Sequence, residues 1–246
     1  NEPNLSKLSP KFAHMIQNIN NKDNKGLHLI YSQFRTLEGI GIFSIALEAN
    51  GYSRFNIKKN EKNNYVLDIP DKFIPGKMFA LYTGTESIEE KEILRKIYNS
   101  KWDKLPTEIV SQLKKIHPNN FMGEIIKIFM ITQSGAEGIN LKNTRFVHIM
   151  EPYWHPVRIE QVIGRARRIC SHNELEKEYQ NVKVFCYIMT FTKDNINEIE
   201  NGNYKDLKSD KSIINKHNHT TDQYLYEISY IKNNITKNIL KNIKEA

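Results

Sequence analysis

The sequence predicts an α/β domain built on a parallel sheet. Three observations carry this prediction. Apolar runs of strand length recur at Leu27–Tyr31, Met78–Tyr82, Ile125–Ile131, Phe146–Met150 and Val182–Met189. They are largely apolar rather than alternating, broken only by the single residues His28, Lys127, His148 and Lys183, as expected of strands covered on both faces. Segments of helical spacing separate them, and strand–helix alternation implies a parallel sheet with flanking helices.

Each element has a local reason. Ser9-Pro10 reads as an N-cap and first helical residue, with Phe12, Ile16 and Ile19 following at helical spacing. Lys25-Gly26 ends that helix before the first strand run. Leu37 to Asn50 is helical and Gly51 stops it. Residues 52–76 alternate weakly around a Lys/Asn-rich turn and read as a surface hairpin or loop. After the strand at Met78–Tyr82, Thr85 caps a helix reaching Tyr98. Glu86, Glu89 and Glu90 fall in its first turn, where the helix dipole favours acids. Lys101 to Gly123 is a further helical stretch. Pro156 starts a helix that can run to about Cys170, because proline at the first position loses no bond it needed.

After Thr192 the chain turns polar through His219 and reads as a loop or linker. Thr220 to Gln223 resembles a capping box. It opens a helix with Tyr224, Ile228, Ile231, Ile235 and Ile239 along one side. The domain division is therefore a main lobe over 1–192, a polar linker over 193–221 and a C-terminal amphipathic helix over 222–246. That helix either docks on this domain or serves another.

Composition narrows the class. A chain of 246 residues, 39% hydrophobic and 26% charged, can bury one core and a satellite element. No apolar run approaches the roughly 20 residues that cross a bilayer, so no membrane partner is expected. The first residues show no basic-then-apolar signal. The net charge of +8 favours polyanions. Two cysteines, Cys170 and Cys186, suit a reducing, intracellular compartment. With His172 they fit no zinc spacing, and no metal site is expected on this chain.

The segment Gln161-Val162-Ile163-Gly164-Arg165-Ala166-Arg167-Arg168 carries the most chemistry. At about 100° per residue, Arg158, Gln161, Arg165 and Arg168 share one stripe. Ile159, Val162, Ile163, Ala166 and Ile169 lie opposite, and Arg167 points away from the stripe. Gly164 in a helix interior costs about 1 kcal/mol relative to alanine, which suggests close approach of another group. Aligned guanidiniums suit a polyphosphate, because their forks bind phosphate oxygens bidentately. A solvated basic face explains the same pattern equally well.

The flanking motifs favour the first reading. Ile131-Thr132-Gln133-Ser134-Gly135-Ala136-Glu137-Gly138-Ile139-Asn140-Leu141 precedes Phe146–Glu151, Tyr153-Trp154-His155-Pro156 and the arginine helix. This order resembles motifs V and VI of superfamily 2 helicases and ATPases, with the Trp-x-Pro segment of Snf2-like motors. His28 to Phe34 resembles motif IV, and Phe79 to Gly84 the strand and turn that follow it. The resemblance runs from about Ser9 to Thr190. "YSQFRTLEGIG", "TGTES", "HIMEPYWHPVRIEQVIGRARRICSH" and "QYLYEI" further resemble helicases and transcription-linked NTPases of nucleocytoplasmic large DNA viruses.

The resemblance implies a RecA-like C-terminal lobe of an ATP-dependent helicase or translocase. Lys101–Gly123 is then an insertion that most such lobes lack. Arg165 and Arg168 take the arginine-finger positions, where a guanidinium stabilises the charge that develops in phosphoryl transfer. Gln161 orders the cleft, Arg158 joins the nucleotide side, and Glu137 and Gly138 meet the ribose. Ser32, Gln33, Thr83, Gly84, Thr132 and Ser134 suit contacts to a DNA (or RNA) backbone, which position without reading sequence. Trp154 either stacks against the strand or covers the arginine helix. His148 reads as a core histidine and His155 as a helix cap.

Gly76-Lys77 is not a P-loop, and no Asp-Glu pair occurs. ATP and Mg²⁺ are the implied cofactors. Their phosphate cradle and metal ligands belong to an N-terminal RecA-like lobe, so this chain alone is expected to be inactive. The expected location is intracellular, in the virion or host cytoplasm if viral. Two rival readings are a non-enzymatic nucleic-acid module descended from a decayed motor, and a scaffold using the fold for protein contacts.

Overall fold

The computed structural model describes residues 2–36, 39–70, 74–136, 138–200 and 219–245. In chain order the elements are α1 (Glu2–Leu8), α2 (Pro10–Asn20), β1 (Leu27–Tyr31), α3 (Ile40–Ala49), β2 (Ser53–Arg54), β3 (Asn56–Lys59), β4 (Tyr65–Asp68), β5 (Met78–Tyr82), α4 (Ile88–Tyr98), α5 (Thr107–Ile116), β6 (Ile128–Ile131), α6 (Gln133–Ala136), β7 (Thr144–Ile149), α7 (Pro156–Ala166), β8 (Lys183–Cys186), α8 (Lys193–Glu200) and α9 (Thr221–Glu245). They divide into two compact units, 1–150 with 162–185, and 151–161 with 186–246.

The first unit is the expected α/β lobe. Its six-stranded sheet has the order β2-β5-β6-β1-β7-β8. The pairings β2–β5, β5–β6, β6–β1 and β1–β7 are all parallel. All five residues of β1, all four of β6 and all six of β7 are buried, which is why these strands read as largely apolar runs, broken only by His28 in β1 and by Thr144, Arg145 and His148 in β7. Helix α2 begins as predicted, with Ser9 Oγ accepting from Phe12 N, and Phe12 meets Phe43 of α3 edge-on at 5.1 Å.

Several boundaries differ from the sequence reading. Helix α4 is capped by Ser87, not Thr85, through a reciprocal capping box with Glu90. Residues 56–68 form a two-stranded antiparallel hairpin, so of the two alternatives for 52–76 the hairpin holds. The helical stretch in 101–123 braces it: Gln112 of α5 accepts from Leu67 N at 2.9 Å. Strand β8 lies at the sheet edge, is largely exposed rather than buried, and is shorter than the Val182–Met189 run read from the sequence.

His148 is a core residue, as expected, and it has a partner the sequence did not reveal. His28 Nδ1 lies 2.9 Å from His148 Nε2 in the fully buried interior. His28 Nε2 faces the Asn24 carbonyl at 3.3 Å. A carbonyl only accepts, so His28 carries its proton on Nε2 and His148 donates from Nε2 to His28 Nδ1. Phe146 and Phe185 stack outside the pair at 4.7 and 5.0 Å. Burial pushes the His148 pKa down to about 3 and holds His28 well below its usual value.

In the second unit, Thr220 and Gln223 make the predicted capping box at the start of α9. Helix α8 replaces the first part of the polar stretch read as a linker; residues 201–218 of that stretch lie outside the described residues. The apolar stripe of α9 at Ile231, Ile235 and Ile239 is exposed. No described helix is long and apolar enough to cross a membrane.

Candidate functional site

The carboxyl ends of parallel strands are where α/β sheets present ligand-binding groups, because the chain leaves the sheet there in loops. Ser32, Thr83 and Thr132 are the first residues after β1, β5 and β6. Tyr31, Ile131 and Tyr82 are in register, so the three hydroxyl residues share one level of the sheet edge. A Cβ placed on Gly84 would sit 3.4 Å from Ser134 Oγ, so the turns after β5 and β6 adjoin. Thr132 and Ser134 hydroxyls are 3.0 Å apart. Thr83, Gly84, Thr132 and Ser134 are thus brought together, with Gly84 and Ser134 exposed and the two threonines buried.

Ser32 is placed differently. It is fully buried, and its hydroxyl accepts from Phe34 N and donates to Phe34 O, both at 3.1 Å. It closes the loop after β1 rather than offering a surface hydroxyl, and Gln33 beside it is half-buried. A Cβ on Gly39 would fall on the Phe34 carbonyl and on Ser32 Oγ. Glycine is required there by close approach. Gly135 is required in the same way, since its Cβ would fall on the Tyr82 carbonyl.

One residue missed by the sequence reading organises the β5 turn. The Glu86 carboxylate accepts from Thr83 N at 2.7 Å, Thr83 Oγ1 at 3.1 Å and Thr85 Oγ1 at 3.2 Å. Arg54 Nη2 lies 3.9 Å from the same carboxylate. The donors expected to meet a phosphate are therefore already holding an anionic group. The Thr-x-x-Glu spacing of a capping box was the available signal.

Motif VI is tied to motif V. Arg165 O accepts from Leu141 N at 3.2 Å, and Arg168 Nη2 donates to Ile139 O at 3.3 Å. Helix α7 stops at Ala166, short of the predicted Cys170. The cause is Ser171, whose hydroxyl donates to Ala166 O and accepts from Arg168 N. Cys170 takes a left-handed φ of 59° in the same turn. Arg168 consequently lies beyond the helix and folds back, with Nε donating to Gly164 O at 3.3 Å. Ile169 is exposed, not on the packed face. Arg165 Nε is buried and, among the described residues, finds no hydrogen-bond acceptor. A buried guanidinium nitrogen in that state has an unmet need that an anionic ligand could supply.

Two further glycines are not crowded by this chain's own atoms. A Cβ on Gly164 would meet nothing within 4 Å, so within this chain no close approach demands it. A Cβ on Gly138 likewise meets nothing; its φ of 71° is what favours glycine. Glu137 lies outside the described residues.

In the second unit, Trp154 is exposed, and Lys232 of α9 sits over its ring at 3.9 Å. Arg158 lies over the Tyr153 ring at 4.1 Å. Gln161 is exposed on the same half of α7. His155 caps the helix as predicted, with Nδ1 accepting from Val157 N at 3.3 Å.

The chain is similar to known helicase proteins. Residues 58–170 match the helicase conserved C-terminal domain. A termination factor NPH-I homolog of African swine fever virus is 34% identical over 201 residues, 73% of this chain and 26% of that protein. A protein of Acanthamoeba polyphaga mimivirus named as a candidate ATP-dependent RNA helicase is 29% identical over 184 residues, 75% of this chain and 26% of that protein. A candidate helicase of invertebrate iridescent virus 3 is 27% identical over 244 residues, 99% of this chain and 20% of that protein. The chain thus spans about a quarter of the length of the curated relatives it matches. Over residues 58–170 the chain is similar to the helicase conserved C-terminal domain, and over most of its length it is similar to helicase-like proteins of large DNA viruses.

Proposed function

We propose that this chain is the C-terminal lobe of an ATP-dependent superfamily 2 motor, completing an ATP site and gripping a nucleic-acid backbone. The observation that carries the nucleotide half is Arg165: its Nε is buried without an acceptor, and its carbonyl anchors the motif V loop. ATP fits that unmet donor, with Mg²⁺ held by the other lobe. Arg165 then brings positive charge to the phosphates. Arg168 holds the Ile139 carbonyl and adds a second charge. Gln161 and Arg158 extend the polar side of α7, and Glu137 and Gly138 contribute motif V. A decayed motor would not need an arginine kept in this state, so the enzymatic reading is preferred over the binding-module alternative.

The nucleic-acid half rests on the adjoining turns at Thr83-Gly84 and Thr132–Ser134, which present small polar groups at a strand-end edge. Contacts of this kind favour DNA or RNA backbones without sequence preference. Binding of a labelled single strand to the 246-residue chain tests it. Affinity should fall steeply with salt, by roughly 50-fold between about 50 and 200 mM if about four phosphates are engaged. Glu86→Gln should raise affinity about 3-fold or more, because the competing carboxylate charge on the Thr83 donors is gone. Salt-independent affinity, or weaker binding in Glu86→Gln, would argue for a different mode of recognition.

A further inference from the structure

We propose that Ser171 and His172 are positioning residues for Arg165 and Arg168, forming a hydrogen-bonded relay from the backbone of β7 through an imidazole and a hydroxyl to the end of α7. The inference rests on the nucleotide reading above and adds to it two residues that lie beyond the helix and outside its arginine stripe.

The relay starts in the core. Thr144 opens β7, is fully buried, and has its hydroxyl 3.1 Å from that of Tyr98. The Thr144 carbonyl lies 2.9 Å from His172 Nε2, and since a carbonyl only accepts, the ring donates there. The other ring nitrogen, Nδ1, lies 2.7 Å from Ser171 Oγ. Ser171 is buried, and its hydroxyl also meets Ala166 O at 3.1 Å and Arg168 N at 3.3 Å. Of its three contacts the imidazole is the nearest, so the ring fixes where the oxygen sits. Ser171 O in turn accepts from Asn143 N at 2.8 Å, close in sequence to Leu141, whose N–H holds Arg165 O.

Ending the helix does not require this arrangement. A left-handed residue after the last turn suffices for that, and Cys170 supplies it at a φ of 59°. What the imidazole adds is a fixed distance between the end of α7 and the first residue of a buried strand. Arg165 needs such a support, because its Nε has no acceptor among the described residues and the backbone must therefore set where the guanidinium stands. Displacing a positioned group by about 1 Å can cost about 100-fold in rate. Glu174 also ties the two segments, accepting from Lys142 Nζ at 2.6 Å and Asn143 Nδ2 at 2.8 Å. Its bonds reach residues 142 and 143 and not the arginine turn, so it supports the fold without entering the relay.

The test measures kcat, KM for ATP and melting temperature in the two-lobe protein. His172 is half-buried, so its truncation opens no closed cavity. His172→Ala should lower kcat about 10-fold with KM changed less than about 2-fold, an effect between none and that of a full 1 Å displacement. Ser171→Ala should act alike, whereas Ser171→Thr, which keeps the hydroxyl, should restore most of the rate. The double variant Ser171→Ala, His172→Ala should be little slower than Ser171→Ala, because both residues act through one oxygen. Glu174→Ala should lower the melting temperature and leave kcat near wild type. A wild-type kcat in His172→Ala, multiplying losses in the double variant, or a fall in kcat for Glu174→Ala as large as for His172→Ala overturns the relay. Each of these leaves the nucleotide reading standing so long as Arg165→Ala is slow. A wild-type rate in Arg165→Ala removes the nucleotide reading itself, and the relay with it.

Discussion

In the two-lobe protein, Arg165→Ala is expected to lower kcat for ATP hydrolysis by about 10³ or more, the range for arginine fingers. Under the proposed function, the charge that Arg165 meets grows as the phosphoryl group transfers, so the affinity for ATP should fall much less than the rate. Arg165 is the cleaner probe of the two arginines. Its Nε has no acceptor among the described residues, so removing it breaks no hydrogen bond made by that nitrogen. Arg168 donates to the carbonyls of Gly164 and Ile139 at 3.3 Å each, and Arg168→Ala would also loosen the motif V loop. A fall in both kcat and thermal stability is therefore expected for Arg168→Ala, against a fall in kcat alone for Arg165→Ala. Arg167 is exposed beyond the end of α7, and Arg167→Ala should leave the rate near wild type. Steady-state kinetics with melting curves on the three variants separates these outcomes; an Arg167 effect as large as that of Arg165 contradicts the assignment.

The second large effect is on stability. His28 and His148 are both fully buried, and burial holds both neutral: His148 has its pKa at about 3 and His28 lies well below 6.5. In the unfolded chain both titrate near 6.5, so below that pH the unfolded state binds protons that the folded state refuses. Stability is complete above pH 6.5 and declines as pH falls toward the folded values. For His148, whose folded pKa is about 3, this amounts to a loss of about 2 kcal/mol between pH 7 and pH 5, and His28 adds to it in the same direction. Denaturant titrations of the 246-residue chain at the two pH values measure it. His148→Phe should reduce the pH dependence; a wild-type midpoint that does not move between pH 7 and 5 contradicts the neutral-pair assignment.

Much of the lobe was legible because its strands are buried on both faces. Leu27–Tyr31 and Met78–Tyr82 were located to the residue, since only His28 interrupts the first and nothing polar the second. Ends set by side-chain bonds were harder to see. The overlong reading of α7 assumed that apolar spacing continued through Ile169, but the Ser171 hydroxyl closes the helix at Ala166 and leaves Ile169 exposed. The same change moves Arg168 off the helical stripe into a turn. Glycines packed against the chain's own carbonyls were equally hard to see: Gly39 and Gly135, neither singled out in the motifs, are the ones a Cβ would drive into the Phe34 and Tyr82 carbonyls. Contacts between residues distant in sequence, such as His28 with His148 or Trp154 with Lys232, leave no trace in local periodicity.

ATP hydrolysis measured on the 246-residue chain and on the two-lobe protein, each with and without single-stranded nucleic acid, tests the motor-lobe assignment most directly. The assignment predicts no turnover by the chain alone under either condition, although it binds the strand, and turnover by the two-lobe protein that rises when the strand is added. Linkage between the two sites also requires bound nucleotide to change the strand's affinity in that protein. Turnover by the isolated chain that disappears in Arg165→Ala, or a two-lobe rate indifferent to nucleic acid, would contradict it.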